Sequence, residues 1–257
     1  MRTGAEGTLP GRREIVRRAY AVLDLTYVND GWEQHLHPAV LFGGEDVVLI
    51  DCGYPGSLAL LEAELARRGI RPERITRLLL THQDDDHMGA AAELKARYPG
   101  IQVMASREEA PYISGALKNL RLQQAERMQA RLPAEQKAFG IQFCERLRKA
   151  PSVPLDGLVS GGDIFDWGGG CEIVATPGHT PGHISVRALD GAFVVTGDAA
   201  VTEGQKLAVA NPEYCLDMER AQASLEKLAR YHSRCYICYH GGVWEASAGD
   251  GGASHSH

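Results

Sequence analysis

The stretch that decides the fold is Leu78-Leu79-Leu80-Thr81-His82-Gln83-Asp84-Asp85-Asp86-His87-Met88-Gly89. An unbroken apolar triplet reads as a strand buried on both faces, and here it runs straight into two histidines and three aspartates. Three other strand ends repeat the pattern: Thr176-Pro177-Gly178-His179-Thr180-Pro181-Gly182-His183, Thr196-Gly197-Asp198-Ala199 and Tyr239-His240-Gly241-Gly242. One His or Asp after a strand is usually a cap or a surface residue. Four clusters of metal-ligating types, each following an apolar run and interleaved with Gly and Pro, are hard to explain that way.

Outward from these loops the chain alternates strands and helices, which predicts an α/β architecture. Apolar runs at 40–42 and 47–50 flank Gly43-Gly44-Glu45-Asp46 as a hairpin. Ser57 is expected to cap a helix through Leu58, Leu61 and Leu65 that stops at Gly69, and an alanine-rich helix follows over 89–98. Strands are expected at 101–105, 172–176, 184–189 and 192–196, the last two joined by Asp190-Gly191. Asp217 opens a final helix, and 235–239 is the closing strand, with Cys235 and Cys238 on opposite faces as buried thiols.

Between the first and second of the ligating clusters, residues 107–149 read as a helical insertion. Leu117, Leu120, Gln124, Met128 and Leu132, then Phe139, Phe143 and Leu147, keep a helical period. The segment holds nine Lys or Arg against five Glu and no Asp, so it carries +4 in a chain of net charge −6. It reads either as a mildly basic substrate lid, with Tyr112 able to polarise a carbonyl, or as a solvated face packed through its leucines.

The residues quoted resemble the metallo-β-lactamase superfamily over roughly 36–244. That family carries His-x-His-x-Asp-His, a later Gly-His, a Gly-Asp after a strand and a C-terminal His. The matches here are His82-x-Asp84-x-Asp86-His87, Gly178-His179, Gly197-Asp198 and His240, with Leu49-Ile50-Asp51-Cys52-Gly53 as the second-strand signature. The resemblance implies a four-layer αβ/βα sandwich, taken over 15–246 around the 107–149 insertion, while the Gly- and Ser-rich ends at 1–14 and 247–257 are expected to be flexible. It further implies that His82, Asp84 and His179 hold one metal, that Asp86, His87 and His240 hold a second, and that Asp198 bridges them. A water between two such metals ionises near neutral pH and becomes a nucleophile, with Asp86 assisting proton movement. Asp84 departs from the family pattern, which has a second His there. Two divalent metals, three carboxylates and one hydroxide leave no formal charge, where the usual set leaves +1. Zinc is the expected metal, with iron and manganese as competitors because of that extra carboxylate.

Around this set, His183 and Asp51 are expected to orient ligands rather than bind metal, Asp85 to be a solvated or backbone-capping carboxylate, and His35 and His37 to be structural or to touch substrate. The function expected is metal-dependent hydrolysis of a small ester, lactone or thioester, with an anionic substrate favoured. The alternative is a non-haem iron redox or oxygen-using enzyme on the same fold, suggested by Asp84 alone. An acidic chain, with a pI near 5.9, speaks against a nucleic-acid partner. The lack of an apolar leader or membrane span suggests a cytoplasmic protein with thiol cysteines that works on a small molecule away from membranes.

Overall fold

The computed structural model describes residues 19–29, 32–204 and 206–246, so the expected flexible ends lie outside the described residues. In chain order the first strands are β1 (Tyr20–Val22), β2 (Leu25–Asn29), β3 (Trp32–Leu36), β4 (Ala39–Gly43) and β5 (Asp46–Ile50). Helix α1 (Leu58–Arg67), strand β6 (Arg77–Leu80), helices α2 (Asp85–Met88) and α3 (Ala91–Arg97), and strand β7 (Gln102–Ser106) follow. The insertion contains α4 (Ala110–Ile113), α5 (Leu120–Gln129) and α6 (Lys137–Lys149). Next come β8 (Gly157–Val159), β9 (Ile164–Phe165), β10 (Cys171–Ala175), β11 (Ile184–Ala188) and β12 (Val194–Gly197). The chain then forms β13 (Val201–Glu203), β14 (Lys206–Ala208), α7 (Met218–Ala229), β15 (Cys235–Cys238) and β16 (Gly242–Glu245).

The strands build two six-stranded sheets, ordered β1-β4-β5-β6-β7-β8 and β16-β15-β12-β11-β10-β9, and two hairpins, β2-β3 and β13-β14. Alternation along each strand explains the layers. Val40, Leu49, Leu78 and Leu80 pack on Leu61 and Leu65 of α1 and Leu94 of α3. Leu41, Val48, Ile50 and Leu79 point the other way and meet Ile173, Val186, Val195 and Ile237 of the second sheet. The outer side of that sheet buries Val174, Val194, Tyr236 and Cys238 against Leu228 of α7. Helices, sheet, sheet and helix make the four-layer sandwich, and strands apolar on both faces are its sequence signature.

Several local expectations need correction. Ser57 sits at the start of α1 but makes no capping bond; its hydroxyl pairs instead with the Tyr27 hydroxyl at 2.7 Å. Strand β15 is followed by β16, so it does not close the sheet. Cys235 does face the inter-sheet core and Cys238 the helix layer, and both are free thiols. In the insertion the helices form but their faces differ: α5 buries Arg121, Leu122 and Ala125, while Leu117 and Met128 are exposed. Phe139 of α6 is 68% exposed, and Cys144 and Leu147 make the small core with α5. The reason is that one side of α6 looks into a cleft rather than onto a sheet, so apolar residues there are not covered by the fold.

Candidate metal centre

The four ligating clusters meet at one edge of the sheets. Strands β5 and β6 run parallel, as do β12 and β15, so Asp51, the 81–87 loop, Asp198 and His240 all leave C-terminal strand ends side by side. Ligands gather at such ends in α/β sheets because successive loops converge there. The short helix α2, entered from Asp84 as its N-cap, turns Asp86 and His87 away from the direction of His82 and Asp84. Glycines permit the close approaches: a side chain on Gly178 (φ 140°) would strike the Ala221 backbone, and one on Gly197 (φ 53°) would strike His183.

The fold brings all seven expected ligands together. His82, Asp84 and His179 form one triad and Asp86, His87 and His240 another, with ligand atoms within 4.8 Å of one another in each. Asp198 lies between them: Oδ2 is 3.4 Å from His179 Nε2, and Oδ1 is 3.2 Å from His87 Nε2 and 3.5 Å from His240 Nε2. His82 Nε2, Asp84 Oδ1, His87 Nε2 and Asp198 Oδ1 are buried without a hydrogen-bond partner among the described residues. Buried polar atoms left unsatisfied in this way are costly, and divalent cations would satisfy them. The donor set therefore fits metal ions.

The surrounding residues aim the ligands. Asp51, held in a left-handed conformation (φ 59°), accepts from Thr81 N and Oγ1 and lies 2.8 Å from His87 Nδ1, which turns His87 Nε2 toward the centre. Both ring nitrogens of His183 are engaged by neighbours: Nε2 accepts from the Asp198 N–H at 2.9 Å and Nδ1 meets the Thr176 hydroxyl. Asp51 and His183 each contact a member of the triads or the bridging Asp198. His35 is exposed and pairs with Asp24 and Glu33, His37 contacts the Tyr239 carbonyl, and neither lines the cleft over the centre.

A cleft of about 1060 Å³ opens over the centre. Asp84, Asp86, His179, Asp198 and His240 line its floor, and Phe139, Phe143 and Arg146 of α6 stand beside Tyr54 in its walls. Tyr112 is not among the residues lining the cleft, whereas Tyr54 and Tyr214 are. Asp85 also departs from expectation, being 5% exposed and facing the cleft with Arg146 Nε 3.1 Å away. Burial and the neighbouring Asp86 charge push its pKa up to about 7, against the pull of Arg146. Sequence reasoning missed Gln83, Glu109 and Arg121, all buried at the centre.

Electrostatics divide the centre cleanly. Burial alone would raise the carboxyls, but Arg121, His82 and His179 hold Asp84, and His240, His87 and His179 hold Asp198, well below the usual range. Burial alone would lower the imidazoles, yet Asp198 and its neighbours raise His87 and His240 and lift His179 to about 9. Metal must then displace protons, because a ligating nitrogen needs its lone pair. Zinc binding near pH 7 is expected to release protons, measured by calorimetry in buffers of differing ionisation enthalpy, and its affinity should rise with pH. For the metal-free protein the sign is opposite. His179 has a folded pKa above its unfolded value of about 6.5, so its stabilisation is complete below that value. It is lost as pH rises through about 9, and the melting temperature should fall across that window. Zinc binding without proton release would remove these histidines from the ligand set.

Comparison with known proteins agrees with this geometry. The family model of the metallo-beta-lactamase superfamily matches residues 35–240, and the chain belongs to that superfamily. It is 31% identical over 207 residues to the "Probable metallo-hydrolase YflN" of Bacillus subtilis (strain 168), covering 76% of this chain and 75% of the relative. A hydroxyacylglutathione hydrolase of Stenotrophomonas maltophilia (strain R551-3) is 29% identical, covering 72% of this chain and 52% of the relative's length. Among solved structures, a metallo-beta-lactamase family protein from Thermus thermophilus has a TM-score of 0.65 at 22% identity, covering 88% of this chain and 75% of that one. No helix among the described residues is long and apolar enough to cross a membrane.

Proposed function

We propose that this protein is a binuclear metal-dependent hydrolase of a small ester, lactone or thioester. The observation that carries the reading is Asp198, whose two oxygens face two separate ligand triads on the floor of the cleft. Two divalent metals, most simply zinc, would supply Lewis acidity toward a carbonyl oxygen and ionise water near neutral pH. The chain's own residues do the rest. Asp51 and His183 fix His87 and Asp198 in place. Asp86 Oδ2 lies 3.2 Å from His240 Nε2 at the cleft floor, where its carboxylate can hold the proton passing to the leaving group. Arg146, half-exposed in the wall, is placed to meet an anionic group on the substrate, and Phe139 and Phe143 to meet an apolar one. A thioester is the favoured member of the class, since several relatives are hydroxyacylglutathione hydrolases by name.

The test uses zinc-loaded protein against an acyl-glutathione thioester, a nitrophenyl ester, a lactone and a phosphodiester. Turnover of one of the carbonyl substrates, lost on chelation and restored by zinc, is expected. Turnover of the phosphodiester alone would move the protein to another class of hydrolase. Inert zinc protein, with oxygen consumption by the ferrous-loaded chain, would favour the redox reading that Asp84 suggests.

A further inference from the structure

The helical insertion reaches the metal centre through one buried cation. Arg121, in the first turn of α5, is 4% exposed, and its Nε and Nη2 donate to the same oxygen, Asp84 Oδ2, at 3.0 and 2.7 Å. Its Nη2 also lies 3.0 Å from His179 Nε2, and its Nη1 is spent on the Tyr214 carbonyl and Gln124. Asp84 Oδ1 is left buried and unpartnered among the described residues. Asp84 Oδ2 is also the oxygen that lies 3.0 Å from His179 Nε2 and 3.5 Å from His82 Nε2, so the guanidinium holds the very oxygen that meets the ligand triad.

A dedicated network delivers that guanidinium. Gln83, between His82 and Asp84 in sequence, donates from its backbone N–H and its Nε2 to Glu109 Oε2 at 3.1 and 2.9 Å. Glu109 Oε1 accepts from Gly182 N in the His179 loop at 2.9 Å. Gln83 Oε1 accepts from Leu120 N at 2.7 Å and its carbonyl from Asn119 Nδ2 at 2.8 Å, while Asn119 Oδ1 caps α5 at Leu122 N. The first turn of α5 is therefore tied to both metal loops. Burying an Arg–Asp pair is a weak way to stabilise a fold, so its placement among ligand atoms asks for another reason.

We propose that Arg121 is a positioning residue of the first metal site, a built-in counter-charge to Asp84. It returns the formal charge of the loaded centre from zero to the +1 of family members with His at this position, and it weakens metal binding at His82, Asp84 and His179. The inference rests on the two-metal reading above. Physically, a guanidinium beside a dication lowers that site's affinity, and removing it should tighten binding about tenfold or more even with strong screening.

The experiment is zinc titration against a chromophoric chelator for the wild type, Arg121→Gln and Arg121→Lys, with Asp84→Ala assigning which class of site is the first. Arg121→Gln keeps a donor toward Asp84 and removes the charge; its first site is expected to tighten by about tenfold or more, with the other unchanged. Arg121→Lys keeps the charge and should stay near the wild type. An unchanged first site in Arg121→Gln, or loosening in both variants as a packing role would give, overturns the proposal. Should Arg121→Gln fail to fold, Asn119→Ala carries the test: it frees the first turn of α5, and tightening supports the proposal while unchanged affinity overturns it. A wild type that binds no zinc would defeat the two-metal reading itself, whereas two sites indifferent to Arg121 would defeat this inference alone.

Discussion

Asp84→Ala is expected to destabilise the metal-free protein by about 3–5 kcal/mol, because it leaves the buried Arg121 cation without its carboxylate. Asp84 and Arg121 are 6% and 4% exposed. Arg121 cannot recover hydration by moving, since it is fixed at Tyr214 and Gln124. For a chain of this size the loss corresponds to a fall of roughly 10 °C in melting temperature. Asp84→Ala combined with Arg121→Leu should recover most of it, because the desolvated charge goes with its partner. The pH sign is fixed by the depressed Asp84 pKa. The carboxylate's contribution is present above its unfolded value of about 3.9 and lost as pH falls through the lower folded value. The gap between wild type and variant should therefore close in acid. A single variant melting within a degree or two of the wild type would show that the pair is solvated, and the counter-charge argument would lose its base.

The same pair shows where sequence reading reaches its limit. Leu78–Leu80, Val47–Ile50 and Cys235–Cys238 are legible because strands covered on both faces must be apolar throughout, and ligands stand close after them. The ligand set, with Asp51 and His183 behind it, follows from residue types at those strand ends and from family resemblance. The hairpin β2-β3 and the strand β16 are not legible. They lie at or beyond the edges of the main sheets, where Glu33, Gln34 and Glu245 interrupt the apolar pattern and Val243 is left exposed.

The network of Gln83, Glu109, Asn119 and Arg121 is hidden for a different reason. A buried polar residue leaves no periodic trace, and on a helix Arg121 reads as solvent-facing until its partner is known. The burial of Asp85 is hidden in the same way, as it depends on α6 folding over it with Arg146.

Asp198→Ala should have the largest effect on activity, because its two oxygens face both triads. Its backbone N–H is fixed by His183 Nε2 at 2.9 Å and its carboxylate lies between His179 on one side and His87 and His240 on the other. Residues that merely orient ligands are worth about 10–100-fold in metal affinity or activity when removed, so a shared ligand should exceed that. Zinc content is expected to fall from two per chain to one or fewer, and turnover of the best carbonyl substrate by more than about 100-fold. Three imidazoles would also lose the anion that raises them, so His87, His179 and His240 should titrate closer to their ordinary range. Histidine resonances followed by NMR in the metal-free protein would read that shift independently of catalysis. Asp198→Asn separates charge from shape, since it keeps the side chain's size while halving its acceptors, and it should lose metal nearly as severely as Ala. A variant that keeps two zinc ions and turns over within about tenfold of the wild type would show that Asp198 does not join the two triads, and the binuclear reading would fall with it.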